Sequence, residues 1–416
     1  MPVETDFLRL ITEATVPGVA AAIIRDGRLD RYVCCGVRSA QNTGVVDENT
    51  VFEAASLTKP VFAHMALQLV DQEYLSLDAP LGDYLPNYVP GDVRASTITP
   101  RQVLGHGTGL PNWRNAERPL KTHFPPGDRF SYSGEGFLYL QKAVEGITGK
   151  QAHILLEQLV LEPFAMTQSS LIWKSRFDAN RAYPHDDFGR PALSFKPGEA
   201  NAAWSLQTTA SDFARFLLAV LDGSRLKPES AELWLRPQVE VKHRGTECLG
   251  PSDGDVATGV AWGLGWGLEP AEGTFFHWGD IGPSKAFTIG SIRDRDALVI
   301  FTNGASGFSI MPELVAHFMP GDRPSLAWLD YVRHDAPVCR LLRAARTDGV
   351  EAIWQEMEDA KLGADELRWI ARGLGAASRE TDRLWLLARI EERSSAGRNQ
   401  PGGKMSPATP AQVSAG

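Results

Sequence analysis

Ser56 and Lys59 stand three residues apart in Phe52-Glu53-Ala54-Ala55-Ser56-Leu57-Thr58-Lys59-Pro60, ahead of an apolar-periodic run over 61–70. On a helix that spacing puts both side chains on one face. A serine hydroxyl is too weak an acid to attack at neutral pH, but a lysine that has lost its proton through desolvation accepts the hydroxyl proton and makes the serine a nucleophile. A helix start adds a second effect, since its unpaired N–H groups and positive dipole end favour negative charge developing at Ser56. Pro60 fits a first turn, where no intrahelical N–H partner is lost. The spacing recurs at Ser224-Arg225-Leu226-Lys227. That copy follows Asp222-Gly223 and precedes Pro228, which marks an exposed turn after a C-cap glycine. It is taken as a decoy.

Two further stretches carry usable chemistry. Pro126-Gly127-Asp128-Arg129-Phe130-Ser131-Tyr132-Ser133-Gly134 leads into a helical pattern over 138–146. Tyr132 and Ser133 fall in the loop, where they can point into a cleft. A tyrosine near a lysine acts as acid or base and relays a proton to a leaving group. Phe275-Phe276-His277-Trp278-Gly279-Asp280-Ile281-Gly282 ends an expected strand. There Gly279 allows close approach of a substrate, the Asp280 N–H joins that of Ser56 as an oxyanion hole, and His277 faces the same cleft. In isolation each stretch also has a bland explanation: a capping serine, a packed loop tyrosine, a half-buried histidine at a strand end. Leu104-Gly105-His106-Gly107-Thr108-Gly109-Leu110-Pro111 follows a helical pattern, so it is a tight turn near the site and not a phosphate loop. The sequence contains no G-x-S-x-G elbow, H-E-x-x-H, Walker loop or dinucleotide fingerprint.

These residues need a scaffold. A helix over 6–15 closes at Pro17-Gly18, and apolar runs over 19–24 and 29–35 join across Asp26-Gly27, a hairpin signal. From Ser56 to about Gly223 the pattern is helix and loop, and strand-like runs return at 257–268, 274–278, 286–292 and 297–302. The fold class is therefore α+β, an antiparallel sheet formed from both ends of the domain with a mainly helical insert. Past residue 320, amphipathic helices are expected over 336–345, 349–360, 364–374 and 379–393, and a Gly/Pro/Ser/Ala-rich tail over 394–416 is expected to be disordered. The 416 residues suffice for a large domain plus an appendage, and a formal charge of −9 without a basic cluster argues against nucleic acid or anionic membranes as partners. The start lacks a basic n-region and an apolar h-region, and the apolar runs are too short to span a bilayer, so a soluble, cytoplasmic protein is expected. The four cysteines form no C-x-x-C pair and suggest neither zinc nor a disulfide framework; Cys34 and Cys35 are expected on opposite sides of a strand.

Taken together, the order Ser-x-x-Lys, Tyr-Ser-x and His-x-Gly resembles the serine β-lactamase and penicillin-binding protein superfamily. The branch it resembles is class C-like, with serine esterases, D-aminopeptidases, D,D-carboxypeptidases and acyltransferases. Supporting matches are Val16-Pro17-Gly18, 104–111, the Pro126-Gly127 approach to Tyr132, 206–212, Gly263-Leu264-Gly265-Trp266 and Thr302-Asn303-Gly304. The resemblance implies a β-lactamase/transpeptidase-like fold with Ser56 as the acylated nucleophile, Lys59 as its base or proton shuttle, and Tyr132 acting in acylation and deacylation. It implies an oxyanion hole from the Ser56 and Asp280 N–H groups, substrate contacts at His277, Gly279, Ser133 and Gly134, and neither metal nor organic cofactor. Two departures bear on substrate: Gly134 stands where relatives usually carry Asn, and His277-Trp278-Gly279 stands where they often carry Lys-Thr-Gly. Both weaken a β-lactam or peptidoglycan assignment and favour esters of small-molecule acyl groups, with weak β-lactamase or D-amino-acid amidase activity besides. An acyltransferase using the same nucleophile and a non-catalytic interaction protein are the alternatives. The expected division is a serine hydrolase domain over 1–325, a tetratricopeptide-like appendage over 326–393 that offers a surface for a homo-oligomer or protein partner, and the tail over 394–416.

Overall fold

The computed structural model describes residues 3–251 and 254–398. Its strands are β1 (Gly18–Arg25), β2 (Arg28–Gly36), β3 (Phe52–Glu53), β4 (Gln207–Thr208), β5 (Val239–Glu240), β6 (Ala261–Trp262), β7 (Gly267–Glu269), β8 (Thr274–Asp280), β9 (Lys285–Ser291) and β10 (Asp296–Thr302). Eight of them form one antiparallel sheet in the order β2-β1-β10-β9-β8-β7-β6-β5, while β3 and β4 pair separately. The hairpin between β1 and β2 turns on Asp26 at φ 49° and Gly27 at φ 71°. Two consecutive left-handed residues match the right-handed twist of the flanking strands. The sheet is indeed built from both chain ends, because β1 pairs with β10 from Val19↔Thr302 to Ile24↔Ala297.

Period-two alternation decides which residues meet which layer. Ala20, Ala22, Ile24, Val299 and Phe301 pack under the helices Thr58–Asp71, Gly134–Thr148 and Ala210–Asp222. Val19, Ala21, Ile23, Leu298 and Ile300 face the helices Val3–Glu13 and Met311–Phe318. Cys34 joins the first group and Cys35 the second, on opposite faces as alternation requires. The result is helices, sheet, helices, the α+β architecture expected. Among the described residues no helix is long and apolar enough to cross a membrane.

One strand differs from expectation. The apolar run over 257–268 is two short strands, β6 and β7, separated by a reversal in which Gly263 N donates to Trp266 O at 2.8 Å. Gly265, at φ +87°, brings the reversal against Ala63 of the helix Thr58–Asp71. Towards the C-terminus come the helices Pro337–Asp348, Trp354–Asp359, Ala364–Ala376 and Glu380–Arg398, so the helix expected over 349–360 is shorter. They bury a cluster of their own around Val338, Leu342, Ile370, Leu374 and Leu386. Phe188 meets Trp369 at 5.4 Å between ring centres, and Arg343 Nη1 donates to Glu13 O at 3.0 Å, which ties this cluster to the rest of the chain. The last helix takes in residues 394–398, which composition assigned to a disordered tail; residues 399–416 lie outside the described residues.

A methyl added at Gly265 would sit 2.5 Å from Ala63 Cβ in a left-handed conformation, whereas one at Gly273, at φ +67°, meets nothing within 4 Å. Gly265→Ala is expected to lower the unfolding free energy by about 1–3 kcal/mol more than Gly273→Ala in denaturant titrations. Equal losses in the two variants would show that the reversal does not depend on this contact.

Candidate active site

Ala55 holds a left-handed φ of 48° and opens a short 3₁₀ turn, Ala55–Leu57, that runs straight into the helix Thr58–Asp71. Such a conformation in a buried non-glycine residue persists only where neighbours enforce it. Here Thr58 Oγ1 donates to Ala55 O at 2.6 Å and accepts from Leu206 N at 3.0 Å, while Ala54 N donates to Leu206 O at 2.9 Å. Ser56 is thereby fixed at the head of the helix, 8% exposed. One turn on, the fully buried Lys59 places Nζ 3.0 Å from Ser56 Oγ and donates to Ala203 O at 2.8 Å. The Tyr132 ring centre lies 4.6 Å from the same nitrogen. Burial holds the Lys59 amine well below its ordinary value. A neutral amine in that place is a proton acceptor for the hydroxyl beside it.

Tyr132 is gripped from several directions. Its N–H donates to Thr246 O at 2.9 Å, and its ring stacks on His106 at 4.2 Å and lies 4.8 Å from Trp278. His106 is itself locked, accepting Ser133 N on Nδ1 at 3.0 Å and Ser131 N on its carbonyl at 2.8 Å. The Tyr132 hydroxyl is buried without a completed hydrogen bond. Burial raises its pKa above the ordinary tyrosine value and outweighs the stabilising contact from the Ser56 hydroxyl, so the phenol stays protonated. Ser133 and Gly134, expected to contact substrate, are also engaged within the protein. Ser133 Oγ caps the helix Gly134–Thr148, accepting Gly136 N at 3.0 Å and donating to Pro111 O at 2.8 Å. Gly134 N donates to Asn112 Oδ1 at 2.9 Å, and the Trp113 ring lies where a Gly134 side chain would go, 2.7 Å from an added methyl.

The late strand closes the arrangement. A methyl at Gly279 would sit 2.4 Å from Ala54 O, so only glycine lets β8 lie this close to the turn bearing Ser56. Asp280 follows, its carboxylate paired to Lys285 Nζ and accepting Gly282 N at 2.8 Å. Glu53 braces the same region from beneath. Its two oxygens accept Ser194 Oγ at 3.1 Å, Phe195 N at 2.8 Å and Ser284 Oγ at 3.0 Å, joining β3, the 194–195 loop and the turn after β8. His277 does not face an open cleft. It is fully buried beneath the site, with Nδ1 2.7 Å from Trp278 O and Nε2 unpartnered, because the close approach at Gly279 seals β8 against the helical layer. Burial, aided by Lys59, lowers its pKa to about 3, so it is a neutral imidazole at physiological pH.

Ser56, Lys59, Tyr132, His277 and Gly279 thus converge from three separate stretches of chain. Sequence inspection missed the residues that hold them: Thr58, His106, Ala203, Glu53, Asn112 and Trp113. Of these, only His106 left a signal, its place in the glycine-rich turn 104–111.

The sheet, the buried helix led by a serine and lysine, and the tyrosine over them are those of the serine β-lactamase and penicillin-binding protein superfamily, in its class C-like form. More narrowly, the chain belongs to the Beta-lactamase family, whose model matches residues 5–314, and that family consists of serine hydrolases. Penicillin-binding protein 4 of Amycolatopsis lactamdurans is 27% identical over 339 residues, covering 74% of this chain and 86% of the relative. Esterase EstB of Burkholderia gladioli is 27% identical, covering 44% of this chain and 54% of its own. Among solved structures, the octameric penicillin-binding protein homologue from Pyrococcus abyssi superposes with a TM-score of 0.65 at 21% identity, over 82% of each chain. D-alanine carboxypeptidase AmpC from Burkholderia cenocepacia does so with a TM-score of 0.60 at 21% identity, over 73% of this chain and 93% of that one.

His277 and His64, lowered to about 3 and about 4, and His106, also lowered, are buried neutral, whereas in the unfolded chain each titrates near about 6.5. Between those values the unfolded state binds more protons, so stability is lost as pH falls from about 6.5 towards 3. Urea titrations across this range are expected to show that decline, and His277→Gln is expected to make it shallower. An unchanged slope in the variant would show that His277 is protonated in the folded protein.

Proposed function

We propose that the protein hydrolyses carboxylic esters through an acyl-enzyme on Ser56. The observation that carries this is the 3.0 Å contact between a fully buried lysine amine and a serine hydroxyl at a helix head. Lys59 takes the Ser56 proton as the oxygen attacks the ester carbonyl. The N–H groups of Ser56 and Asp280 bind the oxyanion, each donor contributing about 3–4 kcal/mol to the transition state. Tyr132, kept protonated by burial, donates to the departing alkoxide and recovers its proton through Lys59, whose nitrogen lies 4.6 Å from its ring centre. A water activated by the same pair then releases the acid.

The preference for esters rests on charge. β-Lactams and peptidoglycan stems present a carboxylate to a cationic anchor, and this site has a neutral His277 at the corresponding strand position and Lys285 already paired with Asp280. Trp113 fills the space beside Gly134 that an amide side chain would need. Weak turnover of β-lactams and D-amino-acid amides fits the same chemistry. Residues 1–325 form the hydrolase unit in this reading and 326–393 the helical appendage.

Ser56→Ala is expected to abolish turnover of a short p-nitrophenyl ester and labelling by a fluorophosphonate while leaving the fold intact, with wild type turning over the ester faster than nitrocefin. Ser224→Ala is expected to change neither, because Ser224 lies in the turn after the C-cap Gly223. Turnover surviving in Ser56→Ala would sink the mechanism, and nitrocefin outpacing the ester would overturn the substrate class.

A further inference from the structure

The segment 243–250 is stitched along the Tyr132 loop. His243 Nε2 lies 2.9 Å from Phe130 O, Tyr132 N donates to Thr246 O at 2.9 Å, and Cys248 N donates to Ser131 Oγ at 3.0 Å. Arg129 holds the far end through Gly250 O at 2.9 Å. Glu247 is therefore fixed between two anchored neighbours, opposite Tyr132. Its carboxylate reaches the rim of the site, where Oε2 accepts Asn112 N at 3.3 Å. The next residue, Trp113, is 45% exposed with its ring over Gly134. A half-buried carboxylate bonded to Asn112 and the exposed indole of the next residue thus both border the Tyr132 loop, with Glu247 close enough to act electrostatically on Tyr132.

Among the described residues no cation is paired with that carboxylate. Among the described residues its one hydrogen-bond partner is the Asn112 N–H, and burial raises its pKa. Other basic groups of the site are engaged elsewhere: Arg114 is paired to Glu135, Lys285 to Asp280, Lys59 is bonded to Ser56 and Ala203 with burial lowering its pKa, and His277 is a neutral imidazole. A carboxylate kept partly dehydrated and unpaired attracts a cation, and an indole face adds to that attraction.

We infer that Glu247 and Trp113 form a subsite for a positively charged nitrogen on the alcohol portion of the substrate, so that the enzyme selects esters of amino alcohols or choline-like alcohols. The alcohol side is indicated because Tyr132, which the subsite adjoins, is the donor to the leaving oxygen. This inference rests on the ester-hydrolase reading above and adds the substrate class to it.

The test compares acetylcholine with its uncharged isostere, 3,3-dimethylbutyl acetate, with p-nitrophenyl acetate as a third substrate. Wild type is expected to favour acetylcholine in kcat/KM by about tenfold or more, the order that one charge-assisted contact supplies. Glu247→Gln is expected to bring the ratio near one, and Trp113→Ala to lower it in part. The ratio is taken within each variant, so loss of folded enzyme cancels. Turnover of p-nitrophenyl acetate with no preference for acetylcholine, with neither of the matched esters accepted, or with a preference unchanged in Glu247→Gln, would overturn the subsite alone. Absence of turnover on all three esters together with no fluorophosphonate adduct on Ser56 would overturn the hydrolase reading and the subsite with it.

Discussion

The dehydration of Lys59 is the constraint on which the rest of the site depends. An ammonium in water is no base at neutral pH, and the same group sealed from solvent with only a hydroxyl and a carbonyl for company gives up its proton. Everything around it serves the seal. Tyr132 and Phe137 cover the nitrogen with their rings at 4.6 and 5.7 Å, and the backbone of Ala203 supplies a carbonyl that a neutral amine can still donate to. Among the described residues no carboxylate pairs with it, and one would have restored the charge.

That seal requires backbones to approach more closely than side chains allow. Gly279 lies against Ala54 and Gly265 against Ala63, so β8 and the reversal before β7 both rest on the helix that carries Ser56 and Lys59. The helix is buried through nearly its whole length, from Thr58 to Leu69. A buried helix cannot shift to relieve strain at its head, which is why Ala55 can hold a left-handed conformation there. Thr58 and Glu53 do the holding, the first within the turn and the second across three segments far apart in sequence.

Electrostatics then divides the labour between the titratable groups. Burial moves Lys59 and Tyr132 in opposite directions, the one toward a free base and the other toward a persistent acid, so a single physical cause would supply both halves of the proposed proton relay. It also silences His277.

The sequence by itself determined the Ser56–Lys59 pairing and the frame. Ser56 and Lys59 are a local pair set by helical spacing, the Asp26-Gly27 turn is a local conformational preference, and period-two alternation fixed the strands, so each was legible without knowing what lay across the fold. The helices past residue 320 were legible for the same reason, from their apolar spacing. Only the tertiary structure decided how that chemistry is held. His277 looked like a cleft residue because alternation says which face a side chain takes but not whether that face is open. Ser133 was expected to touch substrate; its hydroxyl instead caps the helix Gly134–Thr148 at Gly136 N and donates to Pro111 O, which comes from another loop. The split of 257–268 into β6 and β7 depended on Gly265 meeting a helix two hundred residues earlier in the chain, and the roles of His106, Ala203 and Glu247 depend on neighbours equally remote. Contacts between segments distant in sequence leave no periodicity and no motif, and in this protein they are what turns a serine and a lysine into a site.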